Sequence, residues 1–304
     1  MSKGSLFWAN ASGKLGETVL YRSGGEQRTR TYVAKIKNPK TLAQMENRLS
    51  MLNLATTYRL LKPVLEASFP DRKKNRSGFN EFVSLNKSSN TAVISQSMAQ
   101  SNMVVPYDFI MSRGTWNPLG SFGSIEDGLT YGYDVTGILD ESYRDEIGNG
   151  VVNGRYYKLD TKSKFTKFLS KAGLPSSTRV TLIYADYEDD GFSIKHETLS
   201  ADSSETEFAS TKIGFNFGDQ VIEDGMPVPA EVYMAFGDTQ SFTPEHMFTV
   251  ILSYKDGNGK LQVTTSRMIL PSTSLEYVEQ FLKDGDVYNQ VLEQLGFSEG
   301  SALG

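Results

Sequence analysis

Apolar side chains recur every three or four residues in the segment after Pro39, and this is the clearest pattern in the chain. The spacing places them on one face of a helix, so it predicts an amphipathic α-helix of about 20 residues that ends near Pro63. Asn38 supplies a helix-capping side chain, and Pro39 suits a first helical turn. The recurring positions are Leu42, Met45, Leu49, Leu52, Ala55, Tyr58 and Leu61.

Two β-prone runs precede this helix. Residues 18–22 and 27–33 flank the sequence Ser23-Gly24-Gly25-Glu26, which is typical of a hairpin turn. Alternate side chains of a strand share a face, so Arg28, Arg30 and Tyr32 lie on the same side of the predicted hairpin. Because this hairpin has one cationic face and little apolar surface, we expect it to pack on something else.

Short runs of strand length dominate the chain from residue 103 onwards. They cover residues 107–112, 129–133, 179–187, 192–198, 208–213, 231–236, 248–254 and 261–267, with irregular connections through much of 114–160. Further helices are predicted at residues 77–86, 163–172, 274–283 and 286–295. We therefore predict an α+β fold, in which an N-terminal extended arm or β-hairpin and a long helix precede an antiparallel β-sandwich-like domain with C-terminal helices.

The predicted organisation has four parts. Residues 1–90 form a basic assembly segment of arm, hairpin and helix, and the polar residues 91–102 form a linker. Residues 103–272 form an acidic antiparallel β-domain, and residues 273–304 carry the C-terminal helices.

Charge is divided unequally between these parts. Residues 1–90 hold 16 of the 31 Lys and Arg side chains but only 6 of the 36 Asp and Glu side chains, a net charge of +10. The other 214 residues hold 15 basic and 30 acidic side chains, a net charge of −15. Such asymmetry favours a basic arm that meets a polyanion, or the acidic surface of another copy, over an enzyme.

Several classes of protein are excluded or disfavoured. The 304 residues include no cysteine, which excludes disulfides, thiolate nucleophiles and cysteine-based metal sites. The apolar stretch before Ala9-Asn10-Ala11 is too short for a signal peptide, and no run approaches the ~18 apolar residues of a membrane span. We expect a protein that is made in a cytoplasm and is not inserted in a membrane.

One segment resembles a calcium-binding loop. Asp186, Glu188, Asp190 and Glu197 nearly follow the EF-hand spacing, with Gly191 at the bend. However, the flanking runs indicate strands rather than helices, and Glu188 stands where Asp or Asn is expected. An acidic β-turn is the preferred interpretation, so no metal or other cofactor is predicted.

Catalytic motifs are weak. Two histidines cannot complete a three-histidine metal centre, and Ser84-Leu85-Asn86-Lys87 fits S-x-x-K without the companion motifs of that enzyme class. A hydrolase would need a carboxylate pair in a cleft, for which Asp140, Asp145, Asp186 and Glu188 are the candidates. We predict that the protein is not an enzyme.

The basic segment is the candidate functional site. The favoured interpretation is that its cations dock on the acidic body of a neighbouring copy. Alternatively they neutralise the phosphates of a nucleic acid, with Tyr21 or Tyr32 stacking on bases, or form an ordinary solvated face. The residues are Arg22, Arg28, Arg30, Lys35, Lys37, Arg72, Lys73, Lys74 and Arg76.

The first third of the chain also resembles a known family. Gly13-Lys14-Leu15-Gly16, residues 19–22, and Lys37-Asn38-Pro39-Lys40-Thr41-Leu42-Ala43-Gln44 with Arg48 resemble a family of uncharacterised proteins from Bacteroidetes and their phages. Residues 61–65, 77–84 and 110–114 continue the pattern in order, so the resemblance covers residues 10–115. It implies a phage or prophage gene product and offers no catalytic residues to transfer.

Together these features predict a non-enzymatic structural component of a tailed-phage virion. It would assemble into a symmetric oligomer through its basic arm, as a neck or tail ring component or an auxiliary capsid protein, with copies of itself and other virion proteins as partners. The alternatives are a packaging protein that contacts packaged DNA, or a β module that binds host glycans through exposed aromatics such as Trp116 and Tyr131.

Overall fold

The computed structural model describes thirteen stretches of the chain. Their residues form α-helices and antiparallel sheets, which confirms the predicted α+β class. They are residues 12–23, 26–34, 41–88, 91–120, 122–124, 131–149, 156–188, 191–217, 220–223, 226–229, 231–236, 247–270 and 272–297.

The chain divides into two compact units. The first is Met1–Met45 with Lys73–Asn75, and the second is Glu46–Arg72 with Arg76–Gly304. The division therefore falls well before the predicted boundary at residue 90, because the long helix buries its apolar stripe in the core of the second unit. Ala92, Val93 and Ile94 of the predicted linker are also almost fully buried, so these residues belong to the second unit's core.

The first unit contains a three-stranded antiparallel sheet. Its strands are β1 (Gly13–Leu15), β2 (Thr18–Ser23) and β3 (Glu26–Thr31), with β2 in the centre. The pairing of β2 with β3 confirms the predicted hairpin. Strand β1 is an addition that the sequence prediction did not include.

The helices of the described residues belong to the second unit, apart from the first turn of the first helix. The helix predicted after Pro39 is confirmed, and it ends before Pro63, which lies in the first turn of a separate short helix. The helices are α1 (Leu42–Leu60), α2 (Lys62–Leu65), α3 (Gly78–Asn86), α4 (Gln96–Gln100), α5 (Glu141–Asn149), α6 (Lys162–Lys171), α7 (Glu205–Ser210), α8 (Ser272–Glu279) and α9 (Asp286–Gln294). Among the described residues, no helix is both long enough and apolar enough to cross a membrane.

The strands of the second unit form two five-stranded sheets and two smaller pairs. The central sheet contains β4 (Met103–Val104), β9 (Arg179–Glu188), β10 (Gly191–Leu199), β15 (Met247–Lys255) and β16 (Leu261–Val263), in the order β16-β15-β9-β10-β4. The second sheet contains β6 (Phe122–Ser124), β7 (Tyr131–Asp134), β8 (Tyr156–Lys158), β11 (Ile213–Phe217) and β14 (Val232–Phe236), in the order β6-β7-β14-β11-β8. The pairs are β5 (Ile110–Ser112) with β17 (Ser266–Arg267), and β12 (Gln220–Glu223) with β13 (Met226–Pro229).

Alternation along the central strands sends side chains into two different cores. Ile183 of β9 joins a cluster with Leu54 of α1 and Phe82 of α3. Leu182, one residue earlier, packs with Phe215 of the second sheet. The central sheet is therefore a middle layer, with helices on one face and the second sheet on the other, which confirms the sandwich-like prediction.

The predicted strand over residues 208–213 is wrong, because a helix occupies its first half. The Ser204 hydroxyl accepts a hydrogen bond from the backbone N–H of Glu207, and the Glu207 carboxylate accepts one from the backbone N–H of Ser204. This capping box starts α7, and Phe208 is buried as a helical residue. Strand β11 begins only at Ile213.

Two other regions differ from the prediction. The stretch 114–160, predicted as largely irregular, contains α5, whose first turn is capped by Asp140: its carboxylate accepts the backbone N–H of Tyr143 at 2.8 Å. The strand predicted over 261–267 is interrupted at Thr264, whose hydroxyl accepts the backbone N–H of Leu252 at 3.0 Å. Strand β17 then pairs with β5 instead of β15.

Candidate functional site

Three cations of the first unit lie on one face of its sheet. Lys14 and Arg30 both lie opposite Val19 from the two sides of β2, and Arg28 lies opposite Tyr21. Directly opposed residues share a face, and so do residues two apart, so these side chains form one surface. We call Lys14, Val19, Tyr21, Arg28 and Arg30 the cationic face.

Aromatic rings support the cations of this face. The Lys14 Nζ atom lies 3.5 Å from the ring centroid of Tyr32, and the Arg30 guanidinium carbon lies 6.0 Å from the ring centroid of Tyr21. A ring quadrupole attracts a cation without neutralising it. The two charges therefore remain available to an anionic partner.

Carboxylates neutralise little of this charge. Arg28 lies 3.8 Å from Glu26, but both side chains are well exposed, so this ion pair contributes little. The described residues of the first unit carry six cations against two carboxylates, Glu17 and Glu26. The cations are Lys14, Arg22, Arg28, Arg30, Lys73 and Lys74, although Arg22 lies on the opposite face of the sheet from Arg28.

Lys14 was not among the predicted site residues, although the sequence held a signal for it. Gly16-Glu17 between residues 13–15 and Thr18 is typical of a two-residue hairpin turn, and Gly16 has a φ of 56°. That turn brings β1 beside β2 and places Lys14 on the cationic face.

Two arginines of the predicted site stabilise the second unit instead. Arg72 donates a hydrogen bond to the backbone oxygen of Glu66 at 2.8 Å, and Arg76 donates to the Glu81 carboxylate at 2.8 Å. The Glu66 pKa is lowered by a hydrogen bond from Tyr58 and by the nearby Arg72 charge. Lys35 and Lys37 lie outside the described residues. The predicted site residues described in the first unit are Arg22, Arg28, Arg30, Lys73 and Lys74, and Lys14 joins them.

Among its described residues, the sheet buries one large apolar side chain, Leu20, which is 7% exposed. Leu15, Tyr32 and Val33 are 52%, 40% and 59% exposed. None of the described residues of the first unit belongs to a hydrophobic cluster of the described chain. A small sheet with so little buried apolar surface is marginally stable in water, so the cationic face is suited to being covered by a partner.

The carboxylates of the EF-hand-like segment do not converge among the described residues. Strands β9 and β10 pair directly, with Glu188 opposite Gly191, as the strand interpretation predicted. Asp186 accepts a hydrogen bond from Lys195 at 3.2 Å, and Asp190 lies outside the described residues. No group of three or more His, Asp or Glu side chains in the described stretches is placed to hold a metal ion.

Glu197 has a structural environment of its own. Its Oε1 atom accepts hydrogen bonds from the Thr211 hydroxyl at 2.9 Å and from the backbone N–H of Lys212 at 2.8 Å. Burial nevertheless raises the pKa of this carboxyl. Glu197 therefore links β10 to the start of β11 and does not face the turn at Gly191.

Asp140, a candidate hydrolase residue, is also structural. Its carboxylate accepts hydrogen bonds from the Ser142 hydroxyl at 2.6 Å and from Lys171 at 2.9 Å, in addition to the Tyr143 N–H. These hydrogen bonds, that of Ser142 above all, hold the Asp140 pKa at about 2. The residue caps α5 and joins it to α6.

A cavity of about 310 Å³ lies beside α2 on the helical face of the central sheet. Thr181, Ile251 and Val263 are nearly buried members of its lining. Among the described residues that line it, Asp202 is the one carboxylate, so they provide no hydrolytic carboxylate pair. Its residues come from distant segments, which is why no sequence motif indicated it.

The aromatics proposed for glycan recognition give that alternative little support. The Trp116 ring packs edge-on against Tyr254, with 4.7 Å between their centroids. Trp116 is partly buried, and the side chain of Tyr131 lies outside the described set.

Comparison of the chain with protein-family models, with curated proteins and with solved structures gives no match. The resemblance of residues 10–115 to the Bacteroidetes phage family therefore stays a prediction. The geometry of the cationic face is the strongest guide to function.

Proposed function

We propose that this protein is a non-enzymatic structural component of a tailed-phage virion, in which its N-terminal sheet docks on a neighbouring copy. The observation that carries the proposal is the combination of a cationic face with the exposed Tyr32 ring, on a sheet whose described residues join no hydrophobic cluster. The setting in a phage particle, as a neck or tail ring component or an auxiliary capsid protein, rests on the resemblance of residues 10–115.

A neighbouring copy can supply apolar cover, a strand to pair with and opposite charge for the sheet. Covering Tyr32, which is 40% exposed beside Lys14, would remove apolar surface from water, at about 25 cal/mol per Å² buried. Strands β1 and β3 are the edges of the described sheet, so their outer backbone groups can add to a strand of another chain. The excess of acidic residues after residue 90 provides an oppositely charged partner in every copy.

Nucleic acid is the second candidate partner. Tyr21 and Tyr32 lie beside Arg30 and Lys14, and such a mixture of rings and cations binds single strands by stacking and charge. This arrangement supports contact with packaged DNA as the alternative.

The deciding experiment compares the wild-type chain with a variant that carries Lys14→Glu, Arg28→Glu and Arg30→Glu, which we call the sheet variant. Mass photometry at low and high salt measures the oligomeric state of each. We expect a discrete wild-type oligomer that weakens with salt, and a monomeric sheet variant. An unchanged oligomer in the sheet variant would contradict docking through the cationic face.

A further inference from the structure

The helices α8 and α9 carry charge opposite to that of the N-terminal sheet. Residues 272–297 include five carboxylates and a single cation, Lys283. All five carboxylates are exposed, and none forms an ion pair with another described residue. They are Glu276, Glu279, Asp284, Asp286 and Glu293.

Exposed apolar side chains are found in the same two segments, the first unit and the C-terminal helices. In the described part of the chain, the large apolar residues with high exposure lie in only two places. The first unit carries Leu15, Tyr32, Val33 and Leu42, and the two C-terminal helices carry Leu275 at 36% exposure and Leu295 at 42%. The two segments that expose large apolar groups are therefore also the two that carry opposite charge.

The helix pattern explains why α8 and α9 keep these groups on the outside. Val278 and Phe281 belong to the core beneath α8, whereas Leu275, Glu276 and Glu279 project away from it at spacings of three and four. On α9, Val291 packs inward with Leu49 of α1. The remaining outward positions of α9 are polar or acidic up to Leu295.

The helix α9 is held against α1 by a buried tyrosine. Tyr288 is 5% exposed, and its hydroxyl donates a hydrogen bond to the carboxylate of Glu46 on α1. Burial and that hydrogen bond raise the Tyr288 pKa, so the phenol stays protonated as a donor. The acidic residues thus project from helices that are fixed to the core.

We propose that the outward side of α8 and α9, which we call the acidic face, is the acceptor on which the cationic sheet of a second copy docks. This inference rests on the proposed function and names its partner surface. Opposite charges set the register and speed of encounter, and Leu275 and Leu295 provide an apolar contact for the exposed Tyr32 ring beside Lys14. Because donor and acceptor are different surfaces, the contact is head-to-tail, and such contacts generate rings when their rotation closes.

A charge-swap experiment tests the proposal. The helix variant carries Glu276→Lys, Glu279→Lys and Glu293→Lys, three exposed positions that make no described side-chain contact. We expect the sheet variant and the helix variant each to lose self-association by tenfold or more, since like charges then face each other. Mixing the two variants, or combining all six substitutions in one chain, should restore association because every contact again joins opposite charges.

A matched control has Glu141→Lys, Asp202→Lys and Glu205→Lys, which changes net charge equally at exposed sites outside α8 and α9. It should assemble like wild type, and circular dichroism should show native folding for every variant. Assembly of the helix variant at wild-type strength, with a monomeric sheet variant, would overturn the acceptor assignment while leaving the proposed function standing. An unchanged sheet variant would overturn both.

Crosslinking gives a readout that does not depend on charge. A photoreactive phenylalanine analogue replaces Tyr32, which is 40% exposed and lies beside Lys14. The protein is mixed with an isotopically labelled copy before irradiation. We expect mass spectrometry to find residue 32 joined to residues 272–297 of the other copy. Crosslinks confined to one copy, or to other segments, would refute the intermolecular contact.

Discussion

Asn53 pairs with the backbone of Val105 as a neighbouring strand would. Its Nδ2 donates to the Val105 carbonyl oxygen and its Oδ1 accepts from the Val105 N–H, both at 2.9 Å, with both residues completely buried. One carboxamide thus satisfies a donor and an acceptor that would otherwise be unpaired in the core. The same device recurs where Asn86 binds the backbone of Ile110 through both side-chain atoms.

Replacement of this carboxamide should be costly. We expect Asn53→Ala to lower the free energy of unfolding by about 2–5 kcal/mol, because two buried backbone groups of Val105 lose their partners. Urea denaturation measures the change. The control is Asn80→Ala, the same substitution at an exposed position of α3, which should change stability by less than about 0.5 kcal/mol. Equal effects at the two positions would show that the pairing contributes nothing.

Gly114 should not tolerate a side chain. A Cβ atom there would lie 1.8 Å from the backbone oxygen of Val263, and backbone cannot move aside as a flexible side chain can. We expect Gly114→Ala to destabilise the protein by at least about 1–3 kcal/mol, measured by thermal or urea unfolding. Gly137→Ala is the matched control, because a Cβ at Gly137 meets nothing within 4 Å. A neutral Gly114→Ala would disprove the close packing of residues 113–117 against β16.

Glu197 should make stability depend on pH. Burial raises its pKa above the ordinary 4.5 in the folded state, so the folded protein binds this proton more tightly than the unfolded chain. Its contribution to stability is therefore full below pH 4.5 and is lost as the pH rises through the folded-state pKa.

Two substitutions of Glu197 separate charge from hydrogen bonding. Glu197→Gln keeps an oxygen for Thr211 and Lys212 and removes the buried charge, so at neutral pH it should be neutral or stabilising by up to about 1 kcal/mol. Glu197→Ala should cost about 1–3 kcal/mol, since both donors lose their acceptor. Urea unfolding from pH 4 to 8 checks both, and a wild-type minus Gln difference that does not vary with pH would contradict the assigned shift.

DNA binding separates the two candidate partners of the cationic face. If the face docks on protein, fluorescence anisotropy with a single-stranded oligonucleotide should show weak, salt-sensitive binding that Tyr21→Leu changes by less than about twofold. If bases stack on the ring, the same substitution should weaken binding by about 1–3 kcal/mol, or roughly five- to 150-fold. The second result would favour contact with packaged DNA.

Local pattern determined several elements from the sequence alone. The apolar residues of α1 recur every three or four positions, which predicted the helix. Arg28 and Arg30 are two positions apart, and the two-residue repeat of a strand predicted that they share a face. The paired strands on either side of residues 188–191 were predicted for the same reason. Where two local signals competed, as between the capping box at Ser204 and the β-prone residues after it, the prediction failed.

Only the tertiary structure decided which surfaces these elements bury and present. Asn53 meets Val105 across 52 residues of chain, and the two faces of the central sheet enter separate cores, because contacts between distant segments depend on the whole fold. Composition indicated the excess of cations in residues 1–90. It could not show that Arg72 donates a hydrogen bond to Glu66 and that Arg76 donates one to Glu81. The net charge of a segment is a sum over its residues and can be read from the sequence. The charge that a surface offers to a partner excludes the side chains that form ion pairs within the fold, so it depends on the tertiary structure.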